Sequence, residues 1–163
     1  ILGHPVWTNQ VNYSLLHSKA FNSLKPMLDE NHTMIAYSPL AMGLLSGKYS
    51  ATHRPSDSRS KNPTFSTRNF SKVQHVLQTL EKLAKKHDAL VSQIALAWVI
   101  AHPNVIAIPG AKSVEQVRQN AEATEIDLSE EELAELDAVS SSYSPSLHIP
   151  RPFETFKWML GVE

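Results

Sequence analysis
Apolar and polar positions alternate along this chain in two rhythms, one of strand length and one of helical spacing. Met34-Ile-Ala-Tyr37 and Val105-Ile-Ala-Ile108 are short apolar runs closed by Ser38-Pro39 and Pro109-Gly110. Such runs between turn signals suit buried strands, because proline has no backbone donor with which to continue the ladder. A third strand is predicted over 5–13, where Val6, Trp7, Val11 and Tyr13 alternate loosely with Thr8, Asn9, Gln10 and Asn12. Its polar second half departs from the near-continuous Val/Ile/Leu of a parallel strand buried on both faces.

Helical spacing places Phe21, Leu24 and Leu28 on one face of a helix over 18–31, whose start is left open by Pro26. Ser71-Lys-Val-Gln74 has the form of a capping box opening a longer helix, with Val73, Val76, Leu77, Leu80, Leu83 and Ala84 on one face. The helix predicted over 92–101 has almost no polar face, so it should be buried, and it stops before Pro103. Ser113-Val-Glu-Gln116 and Ser129-Glu-Glu-Glu132 repeat the capping pattern ahead of two further helices, the second running through Leu133, Leu136 and Val139. Strand, helix and strand at this spacing form a βαβ unit, which gives an α/β class and a parallel sheet with right-handed crossovers.

Two stretches break the rhythm. Residues 50–69 form a Ser/Pro-rich segment without glycine, carrying Arg54, Arg59, Lys61 and Arg68 in or beside it. It exceeds the ~12–15 residues usual for a structureless connection, so it is either functional or disordered. The division at residue 140 separates the main body, 1–140, from a tail, 141–163, whose Phe153, Phe156, Trp158 and Met159 could line a substrate pocket.

Composition narrows the reading. At 163 residues one domain is expected, and 42% hydrophobic with 19% charged residues is ordinary for a globular chain. A net charge of −1 supplies no field for nucleic acid or an anionic membrane, and neither is expected as a partner. No apolar run reaches the ~20 residues of a membrane span. Without cysteine, disulfides and thiolate metal sites are excluded and a cytoplasmic location is expected. The eight histidines lack metal-ligand spacing, so no metal is expected. The chain opens on Ile1-Leu2-Gly3 rather than on Met, which leads to the expectation that it is a piece of something longer.

Candidate chemistry gathers at the strand exits. After Tyr37 come Ser38, Pro39, Leu40, Gly43, Leu45, Gly47 and Lys48, the form of a ligand site on an α/β scaffold or simply of a loop. Gly110-Ala111-Lys112-Ser113 runs into a helix N-terminus, where free backbone donors and the helix dipole favour an anion. The alternative is that Ser113 and Gln116 only cap each other, with Lys112 in solvent. Gln10, polar within a strand, either pairs with neighbouring backbone or meets a ligand.

Three ordered segments resemble the aldo-keto reductases: Asn9-Gln-Val-Asn-Tyr-Ser-Leu-Leu16, Tyr37-Ser-Pro-Leu40 with Gly43-Leu-Leu-Ser-Gly-Lys-Tyr49, and Ile108-Pro-Gly-Ala-Lys-Ser113 with Glu115, Gln116 and Asn120. The resemblance implies a partial (β/α)8 TIM barrel, comprising the C-terminal three β/α units plus an extra C-terminal helix, and NADPH as cofactor. It implies that Gln10 bonds the nicotinamide carboxamide and Tyr37 stacks on its ring. Lys48 would lie near the cofactor phosphates or ribose, and Arg59 would reach the pyrophosphate or ribose-phosphate. Gly110, Lys112, Ser113, Gln116, Gln119 and Asn120 would hold the 2′-phosphate and adenine. Lys112 and Gln119 depart from the residues many members carry.

Reducing a carbonyl also requires a proton donor, which the family supplies through an Asp/Tyr/Lys/His tetrad. No stretch of this chain matches the tetrad's motifs, so no catalytic residue is assigned. Tyr49 next to Lys48 does not substitute, since neighbours in an extended segment point to opposite sides. A small carbonyl substrate is expected for a full-length parent. Three strands from a closed barrel leave two open edges and one bare face, so self-association or pairing with a missing N-terminal half is expected. A non-catalytic NADPH-binding protein similar to potassium-channel β subunits and an inert half-barrel oligomer are the alternatives.

Overall fold
The computed structural model describes residues 6–30, 32–50 and 52–146. Three parallel strands, β1 (Thr8–Asn12), β2 (Thr33–Tyr37) and β3 (Val105–Ile108), lie side by side in chain order. Between β1 and β2 runs α1 (Lys19–Asp29); between β2 and β3 run α2 (Thr67–Lys86) and α3 (Val91–Ile100). After β3 come α4 (Val114–Glu122) and α5 (Glu130–Ser142).

Register divides the sheet into two faces, since side chains of paired parallel strands alternate together. Met34 pairs with Val105 and Ala36 with Ala107, and this row faces the helices. There α1 packs on β2 and α3 on β3, while α2 lies outside against α3 and α5. Trp98 of α3 is buried, stacked on Tyr13 with ring centroids 5.1 Å apart, and its indole donates to Asp137 Oδ1 at 2.8 Å. Ser140 of α5 donates to the Leu15 carbonyl at 2.8 Å, fastening the last helix to the exit of β1.

The opposite face carries Gln10, Ile35 and Ile106 in one register row and Asn12, Tyr37 and Ile108 in the next. Among the described residues this face is largely open on β3 and at the end of β2: Ile106 is 54% exposed, Ile108 45% and Tyr37 41%. The expectation of a buried strand at 105–108 is therefore corrected to a strand buried on one face only. Its apolar run fits two covered faces, and the described chain supplies helices for one.

Other expectations shift locally. The long helix is capped five residues earlier than Ser71, by Ser66, whose Oγ accepts from the Asn69 N–H at 3.3 Å. Ser71 instead bonds back to the Arg68 carbonyl within the helix. Pro26 lies inside α1, past its first turn, so it marks neither the helix start nor its end. The strand predicted from residue 5 is described as β1 from Thr8. Residues 52–66 contain two 3₁₀ turns, Ser58–Lys61 and Pro63–Phe65, and Phe65 packs edge-on against Tyr49. The box at Ser129 forms as expected, with Ser129 N–H donating to Glu132 Oε2 and Glu132 N–H to Ser129 Oγ. α5 continues through the division placed at residue 140, and Ser146 bonds Asn69 of α2 at 2.6 Å. Phe153, Phe156, Trp158 and Met159 lie outside the described residues. No helix among the described residues is long and apolar enough to cross a membrane.

Candidate functional site
Because the strands are parallel, their C-terminal ends share one end of the sheet, and the chain leaves β2 and β3 there. β2 ends at Tyr37, whose carbonyl accepts from the Tyr13 N–H at 3.4 Å. The chain then turns through Ser38, Ala41, Met42 and Gly43, all with positive φ. Three non-glycine residues in this region store local backbone strain. Ser46 Oγ donating to the Gly43 carbonyl at 2.7 Å, and Gly43 and Leu45 N–H donating to the Leu40 carbonyl, fix the turn.

Asp57 caps the following 3₁₀ turn by accepting from the Arg59 N–H at 3.0 Å. The Arg59 guanidinium meets the same carboxylate: Nε lies 2.9 Å from Oδ1 and 3.0 Å from Oδ2, and Nη2 2.6 Å from Oδ2. Its Nη1 donates to the Met42 carbonyl at 3.3 Å, and the group lies 5.6 Å from the Tyr49 ring centroid. Arg59 thus ties the 50–66 segment back onto the turn after β2. A Cβ at Gly43 would meet Tyr49 and Arg59 only at ordinary contact distance, so it is the φ of +92° that favours glycine there. The Arg59 guanidinium above all, with a small contribution from the charge of Lys112, holds the Asp57 carboxyl down at about 2. That long-range attraction links the segment to the turn after β3.

The turn after β3 leads to α4. Ser113 caps it, its Oγ accepting from the Gln116 N–H at 3.2 Å, while Gln116 Oε1 accepts from the Lys112 N–H at 2.7 Å. The capping box is therefore displaced by one residue. Gly110 has open space where a side chain would stand, and Lys112 is exposed. α4 is aimed by Gln93 of α3, which donates to the Gln119 carbonyl at 3.1 Å and Glu122 Oε2 at 3.0 Å. Gln119 Nε2 bonds Glu115 Oε1 at 3.0 Å.

Tyr37, Arg59 and Lys112, from three separate segments, thus belong to one end of the sheet, with Gln10 on the same face as Tyr37. Asn12, which pairs with Tyr37, has its Oδ1 buried with no protein partner. Lys48 is exposed, with Nζ 5.8 Å from the Tyr49 ring, whereas Tyr49 itself is buried and turned from solvent. Two assignments are narrowed. The Leu45 side chain is wholly in the core and its N–H is already bonded, and Pro39 is buried as well. Side-chain contact with a ligand is closed to both. The structure adds Asp57, Gln93 and Asn12 to the candidate site, and the Asp-x-Arg spacing at 57–59 is the one sequence signal that points to the first.

The Aldo/keto reductase family model matches residues 2–141. The chain belongs to this family. An uncharacterized oxidoreductase of Mycobacterium tuberculosis is 46% identical over 145 residues, covering 88% of this chain and 45% of that protein. Among solved structures, a glycerol dehydrogenase of Gluconobacter oxydans is 31% identical with a TM-score of 0.77, covering 90% of this chain and 46% of its own. An aldo/keto reductase of Klebsiella pneumoniae, in complex with NADP and acetate, is 34% identical with a TM-score of 0.55, covering 88% and 42%. The α/β arrangement thus matches part of the aldo/keto reductase barrel, and the chain spans less than half the length of these relatives.

Proposed function
We propose that this chain forms the C-terminal three β/α units of an aldo/keto reductase barrel and carries much of the NADPH site of a carbonyl reductase. The observation that carries the reading is that the Arg59 guanidinium is folded onto the turn after β2, beyond the open Tyr37 ring, with Lys112 within electrostatic reach of its partner Asp57. Two cations suit phosphate groups, and an exposed ring suits a flat heteroaromatic face. The residues fit this group in one further respect: Asn12 Oδ1 is a buried acceptor left unsatisfied by protein.

In this reading Tyr37 packs on the nicotinamide and Gln10 bonds its carboxamide. The main chain of 38–48, with Lys48 and Arg59, faces the pyrophosphate. Gly110 keeps the β3–α4 turn clear for close approach. Lys112, Ser113, Gln116, Gln119 and Asn120 line the 2′-phosphate and adenine end, where a cation at Lys112 favours NADPH over NADH. NADPH supplies the hydride when bound. The proton for the developing alkoxide comes from polypeptide outside this chain, so the chain alone binds without turning over. The open sheet face and edges are where that polypeptide, an N-terminal half or a second copy, completes the barrel around a small carbonyl substrate.

Calorimetric titration of the purified chain with NADPH and NADH, alongside an absorbance assay with a small aldehyde, tests this. Binding of NADPH in preference to NADH, without oxidation, is expected. Absence of heat with either nucleotide overturns the cofactor reading and leaves the inert oligomer. Turnover by the chain alone overturns the assignment of the proton donor elsewhere. Tight binding together with a stable complex that also lacks turnover selects the regulatory-protein alternative.

A further inference from the structure
We propose that Asp57 is a built-in competitor for the anion site, occupying Arg59 in place of a phosphate and giving it up when a phosphorylated ligand arrives. This rests on the cofactor reading above and adds a control on the same site. The geometry is that of an anion already bound. The Asp57 carboxylate takes Nε and Nη2 of Arg59 at 2.6–3.0 Å, the fork by which a guanidinium also receives phosphate. The remaining nitrogen, Nη1, is fixed on the Met42 carbonyl. Arg59 therefore cannot offer its fork to a ligand while Asp57 holds it.

The pair is also placed to exchange. The Asp57 side chain is half exposed and Arg59 about a third, so the carboxylate has water to move into. Exposed pairs of this kind are weak because water screens them, and a dianionic phosphate can exceed them with charge-assisted bonds. Lys112 lies close enough to attract Asp57. Asp57 thus draws on both cations assigned to phosphate. Because its carboxyl is held far below neutral pH, the competitor is ionised throughout the physiological range.

The opposing possibility is that Asp57 merely positions Arg59 for the ligand, and the two predict opposite signs. Asp57→Asn tests them, because asparagine keeps the oxygen that caps the Arg59 N–H and is an equally good cap, while removing the charge. Calorimetry with NADPH, and separately with inorganic pyrophosphate, should show about fivefold tighter binding in D57N than in the natural chain. Adding Arg59→Ala should abolish the gain. Unchanged or weaker binding of both probes in D57N overturns the proposal while leaving the cofactor site standing. A gain for pyrophosphate with no NADPH binding upholds the exchange and removes the cofactor reading, and binding of neither probe by either protein removes both. Independently, the Asp57 carboxyl carbon resonance at pH 7 should move toward that of a free carboxylate on saturation; an unmoved resonance overturns displacement.

Discussion

The sheet presents two faces built from the same strands, and they differ in what lies over them. On one, Met34, Ala36 and Val105 are buried under helices and join Leu80, Leu83, Ile94 and Trp98 in a continuous core. On the other, Tyr37, Ile106 and Ile108 stand exposed, although Ile and Tyr suit a covered strand as well as Val does. The contrast separates two roles. The helix-covered face holds this chain together, whereas the open face is where the proposed cofactor and further polypeptide would sit.

The largest test falls on the covered face. Trp98→Ala removes a buried indole, its stacking on Tyr13 and its bond to Asp137, and should cost about 3–5 kcal/mol in chemical denaturation. A loss below about 1 kcal/mol would show that the helical layer does not carry the fold. Next comes the junction of α2 and α5, where buried Glu132 accepts from Lys86 at 2.8 Å, pairs with His87 at 2.9 Å and closes its own capping box. Glu132→Gln should cost about 2 kcal/mol at pH 7.

That second effect depends on pH. The Lys86 bond above all, helped by the Ser129 N–H and His87, holds the Glu132 carboxyl at about 2 against the opposing effect of burial. A carboxyl whose folded value lies below its unfolded 4.5 contributes fully above pH 4.5 and loses that contribution as pH falls toward 2. The gap in urea midpoint between the natural chain and E132Q should shrink from pH 7 to pH 3; an equal gap at both rejects the pairing as its source.

The smallest effect is expected on the open face. Ile106→Ser should change the stability of the chain by no more than about 0.5 kcal/mol, since the side chain is mostly in water already. A loss above about 1.5 kcal/mol, or a lower sedimentation coefficient than the natural chain, would show that a second copy covers this face in solution.

Much of the scaffold was legible because its periodicities are unmixed. α2 buries Val73, Val76, Leu77, Leu80, Leu83 and Ala84, the face that helical spacing picked out. α3 is buried nearly all round, as its lack of a polar face required. The Ser129 box formed because both bonds lie within four residues. Ser71 failed although its spacing is equally good, since Ser66 lies upstream and the buried Asn69 and Phe70 already belong to the helix. At the candidate site, Tyr37, Gln10 and Lys112 stand out in the sequence by their places at or near strand exits, and the family resemblance supplies the roles expected of them. Asp57 was passed over because a loop aspartate acquires meaning only when an arginine folds back on it.

By itself the sequence determined the local order: three strand-length runs, the helices between them, the cap at Ser129 and the glycine-bearing turns at the strand exits. These follow from interactions between residues a few positions apart, which a linear pattern records. Only the tertiary structure decided which face of each strand is covered, that Arg59 is already held by Asp57, and that Lys112 comes within electrostatic reach of that pair. Those outcomes depend on surfaces and charges brought together from distant parts of the chain, and hydrophobic spacing carries no information about either.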